Sequence, residues 1–218
     1  MGEQVDDHGL LGGPLPGGPA PSDEEQLLWD VAAAMRELGP RASMAQIARE
    51  AGLAPAALYR RFPTPDLLHS RLAEVFQDRL LAHARHTLDL PVDRQLEYFL
   101  HTVGLHLALS HSILPHPFGD MATPEQRERI YAFTARLLEQ GKQAGVLAAD
   151  VALSDIAAVV WGLRGVVAVT DGIAPDAWER HLDVAVAGLK NPGLTFTRPP
   201  LDTEHLDRVI HRPSRGAG

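Results

Sequence analysis

The chain has no cysteine among its 218 residues, which excludes disulfides and thiolate metal sites. Aromatic residues make up only 6% and β-branched runs are rare, while alanine and leucine are abundant; that balance favours helix over sheet. No apolar run reaches the roughly 18 residues that suggest a membrane span. The first residues are acidic and rich in glycine and proline instead of basic then apolar. No signal peptide is read there, and a cytoplasmic address with no membrane partner is expected. The chain also lacks G-x-S-x-G, a cysteine nucleophile and a glycine-rich phosphate loop after a strand. Nothing then supplies a nucleophile, a base and an orienting group, so no catalytic residue, no cofactor and no enzyme are expected.

Basic charge is scarce too. The net charge is −8, unusual for a chain that meets nucleic acid, but distribution matters more than the sum. Residues 1–30 hold no Lys or Arg and carry Glu3, Asp6, Asp7, Asp23, Glu24, Glu25 and Asp30. From Arg36 to Arg71 the balance reverses: Arg36, Arg41, Arg49, Arg60, Arg61 and Arg71 face Glu37, Glu50 and Asp66. A local basic patch of this kind suits a DNA-facing surface, because counterion release supplies much of the affinity.

That patch coincides with the most informative stretch, Arg41 to Leu68. Ser43 can cap a short helix, with Gln46 three residues later completing a capping box. Ile47, Ala48 and Ala51 recur at helical spacing and face inward. Gly52 suits the left-handed position that ends the helix. Pro55 suits the first turn of the next one, where its missing N–H costs nothing. Leu58 and Phe62 then point inward, and Tyr59, Arg60 and Arg61 outward. Thr64, Pro65 and Asp66 are three start signals in a row for a third helix. Two short helices joined this way form a helix-turn-helix, over residues 43–62, which places its second helix in the DNA major groove.

The fuller string resembles the DNA-binding head of the TetR family of transcriptional regulators. That pattern runs as a Thr/Ser cap, an Ile-Ala pair, an Ala-Gly turn with an aliphatic residue, Leu-Tyr-x-x-Phe, then a small residue, a polar one, an acid and Leu-Leu. Here these are Ser43, Ile47-Ala48, Ala51-Gly52-Leu53, Leu58-Tyr59-Arg60-Arg61-Phe62, Thr64, Pro65, Asp66 and Leu67-Leu68. The resemblance implies a DNA-facing set of Arg41, Ser43, Met44, Ala54, Pro55, Ala56, Ala57, Tyr59, Arg60, Arg61 and Thr64. Tyr59 would meet a phosphate or a thymine methyl, and Arg60 a guanine edge or a phosphate. Ala56 and Ala57 would let the backbone approach. The family often has hydroxyls at Ala54 and Ala57 and a Lys at Pro65, so fewer phosphate contacts are expected, with Arg41, Arg60 and Arg61 available to compensate. The acidic start of the first helix works against DNA binding as well. The alternative is a helical small-molecule-binding dimer that has lost its DNA.

The expected fold is all-α: an N-terminal three-helix helix-turn-helix DNA-binding head and a C-terminal helical ligand-binding and dimerisation body. Residues 1–21 read as a disordered Gly/Pro-rich leader, 22–84 as the head, 85–193 as the body and 194–218 as a disordered tail in which HLDRVI makes at most one transient turn. Helices are expected from Ser22 to Leu38, from Pro65 to about Leu88, over about 93–110, from Thr123 toward Gly141 or Gly145, from Leu153 or Ser154 to Asp171, and from Pro175 to Lys190. No internal repeat is visible.

The last two of these are expected to form the dimer interface of a four-helix bundle through Val160, Trp161, Arg164, Trp178, Leu182, Ala185, Val186 and Leu189; the alternative is that both only finish the core of the single chain. The first is apolar nearly all round and therefore expected to be buried. The resemblance also implies that the long third helix of the head is a lever, and that an effector pocket lies among the middle helices. Its candidate residues are Leu80, His83, Phe99, Val103, His106, Phe118, Tyr131, Leu138, Trp161 and Arg164. The chain's 11 histidines raise a lesser alternative, a His-dependent metal sensor. His83 and His86 can share a helix face, but His101, His106 and His111 are five apart and cannot, so no metal ligand set is assigned. The implied partners are a double-stranded, near-palindromic DNA operator, a small-molecule effector and a second copy of the chain; the implied function is repression released by ligand.

Overall fold

The computed structural model describes residues 21–39, 41–111, 113–114, 122–191 and 193–210. Among these there is helix and no strand. The elements are α1 (Asp23–Leu38), α2 (Met44–Glu50), α3 (Pro55–Arg61), α4 (Pro65–Thr87), α5 (Val92–His111), α6 (Pro124–Gln143), α7 (Leu153–Thr170), α8 (Ala177–Leu189) and α9 (Thr203–Ile210).

Local chemistry sets most of the boundaries. Ser22, Ser43 and Thr123 each close a reciprocal capping box, with Glu25, Gln46 and Gln126 returning the bond to the cap's own N–H. Thr64 accepts from the Leu67 N–H and Pro65 follows it at the first turn of α4. Gly39 and Gly52 end α1 and α2 with φ of 77° and 72°, where a side chain would be strained. The Asp155 carboxylate accepts the Ala152 N–H at 2.7 Å and opens α7.

α1, α2 and α3 pack around Leu28, Val31, Ala32, Ala48 and Leu58, all nearly inaccessible. α4 then crosses from this head into the body without a break, burying Leu68, Leu72, Phe76 and Leu80 along one side. Trp29 of α1 meets Phe76 edge-on at 5.1 Å, and the Arg79 guanidinium lies 5.3 Å from the Trp29 ring centre. The head is thus fixed to the middle of α4 by an aromatic contact and a cation–π contact. In the body, α5 is the central helix, packed by α4, α6, α7 and α8.

Two expectations are corrected here. The tail is ordered further than its polarity suggests: α9 is a two-turn helix. The Asp202 carboxylate accepts the His205 N–H at 2.8 Å, and Leu206 is buried, beside residues of α6 and α7. An isolated eight-residue helix does not persist in water; this one has a start signal and an anchor. The second correction concerns α7. It is long and apolar enough by composition to cross a membrane, yet only 28% of it is buried in the single chain. Its Ala158, Gly165, Ala168 and Val169 are exposed. The leader at 1–20 lies outside the described residues.

The core also contains a basic cluster. His83 of α4 and His106 of α5 are buried, with ring centres 6.3 Å apart. Burial first, then the charges of Arg79 and His86, push His83 down to about 4. Burial first, then His83 and Arg79, push His106 down to about 3. An unfolded histidine titrates near 6.5, so below that pH the unfolded chain binds more protons than the folded one. Stability is therefore full above pH 6.5 and falls as pH drops toward 4 and then 3. Thermal melts across this range should show that slope, and His83→Leu should make it shallower between pH 6.5 and 4, leaving the share of His106.

Candidate functional site

The outer face of the head is built on α3. Leu58 points into the core and is only 1% exposed, which turns Tyr59 and Arg60 outward. Tyr59 is 44% exposed, and Arg41, Ala54, Ala56 and Arg60 are also exposed. Pro55 and Ala57 are half-buried. Ala54 occupies the position before α3 and offers no side chain to cap it, so the missing hydroxyl has a visible structural consequence.

Four members of the expected DNA-facing set are otherwise engaged. Met44 is 6% exposed and belongs to the core; it opens α2 on the same inward face as Ile47 and Ala48 and cannot reach a duplex. The Ser43 hydroxyl is held by the Gln46 amide oxygen at 2.7 Å, and that of Thr64 by the Leu67 N–H. Arg61 turns back onto α1, its Nη2 3.4 Å from Glu24. Glu24 also receives the Arg71 Nε at 3.0 Å, while Arg71 Nη1 reaches Glu74 at 2.7 Å. The hydrogen bond and charge of Arg71, then those of Arg61, hold the Glu24 carboxyl below its usual range. The acid at the start of α1 is thereby neutralised, and Arg61 is partly committed to neutralising it. Arg41 and Arg60 are left as the expected cations that carry no acid partner among the described side-chain contacts.

The second feature is a cavity of about 160 Å³ in the body, among α4, α5, α6 and α7. Leu80, Phe99, Val103, Tyr131, Trp161 and Arg164 line it. His83, His106 and Leu138 do not; all three are buried in the packing around it. Phe118 lies outside the described residues. Sequence reasoning missed Gln77, Arg127, Ile130, Thr134, Ile156 and Val209, which also line the cavity. Arg127, Ile130, Tyr131 and Thr134 follow the i, i+3, i+4, i+7 rule along α6, a signal that was available. Tyr131's hydroxyl is pushed up by burial, against the pull of Arg164 and Arg127.

The expected dimer set divides. Val160, Trp161 and Arg164 line the cavity. Trp178, Leu182, Val186 and Leu189 are buried within the single chain, and Ala185 is half-buried. Trp178 fills a notch made by Gly104, where even a methyl group would come within 2.4 Å of its ring. The apolar stripe of α8 is consumed by its own body and is not free for a partner. Among the described residues, no three His, Asp or Glu side chains come together to hold a metal.

A capped helix-turn-helix joined by one continuous helix to an all-helical body with a half-open cavity is the build of a DNA-binding transcriptional regulator. The comparisons agree with that class. Residues 31–66 match the family model described as bacterial regulatory proteins, tetR family. Residues 93–191 match that of the C-terminal domain of SbtR-like transcriptional regulators. A TetR transcriptional regulator from Streptomyces coelicolor has the same fold, with a TM-score of 0.60 and 23% identity over 77% of this chain and 98% of its own. A TetR regulatory protein from Mycobacterium vanbaalenii gives 0.54 and 22% over 78% and 95%. No curated protein matches. The chain belongs to the TetR family of bacterial transcriptional regulators.

Proposed function

We propose that the protein is a cytoplasmic repressor that binds a near-palindromic operator as a homodimer and is released from it by a small molecule held in the body cavity. The observation that carries this reading is the double attachment of α4. Its Phe76 holds the head through Trp29, and its Gln77 and Leu80 form part of the cavity wall. A ligand that pushes on Leu80 therefore pushes on the helix that positions α3. It need favour the wrong head spacing by only a few kcal/mol to shift the population off DNA.

In this reading α3 enters the major groove, with Tyr59 and Arg60 meeting bases or phosphates and Arg41 adding a phosphate contact. The two heads of a dimer would read half-sites about one helical turn apart. The dimer face is the exposed side of α7, Ala158, Gly165, Ala168 and Val169, joined by the exposed Val184 and Ala187 of α8. An apolar strip of this kind on a soluble fold marks an interaction surface, and small residues let two helices approach closely.

Gly165 gives a clean test, because a side chain added there meets nothing within 4 Å in the single chain. Gly165→Glu should leave the helical circular-dichroism spectrum of the chain intact while converting the dimer to monomer in sedimentation equilibrium. A dimer that survives the substitution would place the interface elsewhere.

A further inference from the structure

The cavity's charged groups are all of one sign, beside the neutral Gln77, Tyr131 and Thr134. Its wall is apolar over Leu80, Phe99, Val103, Ile156 and Trp161, and two guanidinium groups, Arg127 and Arg164, border it. Among the described residues its lining contains no carboxylate, and the Asp207 charge reaches it only through Tyr131. Arg127 donates through Nη1 to the Ala122 carbonyl, but its buried Nε finds no hydrogen-bond partner among the described residues. The Thr134 hydroxyl is already spent on the Ile130 carbonyl at 2.8 Å.

A guanidinium cannot neutralise itself by losing its proton, so the charge persists whatever enters. A cationic ligand would meet the like charge of Arg127 in a partly desolvated space. A hydrocarbon would leave a buried donor without an acceptor, and a neutral oxygen would accept the bond without balancing the charge. A carboxylate offers two acceptor oxygens in the geometry that guanidinium matches best. The cavity volume, about 160 Å³, is close to that of an engineered protein cavity that holds one benzene ring.

We propose that the effector is an apolar monoanion, a single-ring aromatic or short-chain carboxylate, with its ring or chain against Phe99 and Trp161 and its carboxylate against Arg127 and Arg164. The proposal rests on the reading of this cavity as the effector site. Tyr131 adds a neutral hydroxyl donor beside the same carboxylate.

The test is calorimetric titration of the full chain with three probes of one skeleton: phenylacetate, phenylethanol and phenylethylamine. Phenylacetate should bind at least about tenfold more tightly than the alcohol, and the amine should give no saturable binding. Arg127→Gln should cut the acid's affinity far more than the alcohol's and so remove most of the preference for the acid, and Arg127→Lys should restore part of it. Ala157→Phe, which fills the cavity from its wall, should block all binding. Equal binding of the three probes, or a preference for the amine, that Ala157→Phe still blocks would overturn the anion and leave the cavity as the site. No binding of any probe, or binding that Ala157→Phe leaves unchanged, would overturn the effector cavity and the anion with it. The comparison of probes on the unaltered chain decides the question even if a variant fails to fold.

Discussion

Trp178→Ala should lower the stability of the chain by about 3–5 kcal/mol, the usual cost of emptying a buried aromatic site. For a chain of this length that is a fall in Tm of roughly 6–20 °C. Trp178 is 2% exposed, tilts against His101 at 5.1 Å and closes over Gly104. The hole cannot collapse easily, because the α5 backbone at Gly104 and the α8 backbone are each held by a full helix. The measurement is a thermal melt at fixed protein concentration, since dimerisation makes Tm depend on concentration. A Tm that barely moves, with dissociation of the dimer instead, would mean that Trp178 faces a partner and not its own core.

The second large effect is on DNA. Arg60→Ala should weaken operator binding, and Tyr59→Ala should weaken it more. A base-directed contact contributes about 1–3 kcal/mol, and a dimer makes each contact twice, so either variant should lose roughly thirtyfold or more. Both side chains are exposed, so the melts should be almost unchanged. Arg61→Ala is the informative contrast. Its guanidinium already faces Glu24, so its loss should cost less affinity, arising mostly from the acid it uncovers. Fluorescence anisotropy on the selected operator would rank the three. Equal affinities for Tyr59→Ala, Arg60→Ala and the unaltered protein, with folding intact, would remove α3 from the groove.

These expectations also separate what one sequence makes legible from what it hides. Caps are local chemistry within three or four residues, so Ser22, Ser43, Thr64 and Thr123 announce their helices, and the bounds of α1 to α8 follow within a few residues. The inward face of α4 is legible for the same reason: Leu68, Leu72, Phe76 and Leu80 keep one period for four turns. What periodicity cannot say is which surface covers an apolar stripe. The stripe on α8 reads equally well as half of a dimer or as the lid of its own body, and only the notch at Gly104 decides. Long-range charge pairing is hidden too; nothing near Arg61 in the chain points to Glu24, 37 positions earlier. Met44 fails differently: its place at the head of α2 suggests exposure, but its side chain falls on the core-facing third of the helix. Arg127 was overlooked because a charge near a helix start reads as solvated surface, and its role depends on α7 lying opposite.

The central claim is that this head reads DNA sequence as part of a dimer. The most direct test is a binding selection of the purified protein on sheared genomic DNA from its source, read by sequencing at low and moderate salt. The account predicts one enriched, near-palindromic site whose half-sites lie about one helical turn apart. Its occupancy should fall steeply with salt as phosphate contacts are lost. Recovery of no preferred site at either salt, from a folded and dimeric protein free of ligand, would contradict it.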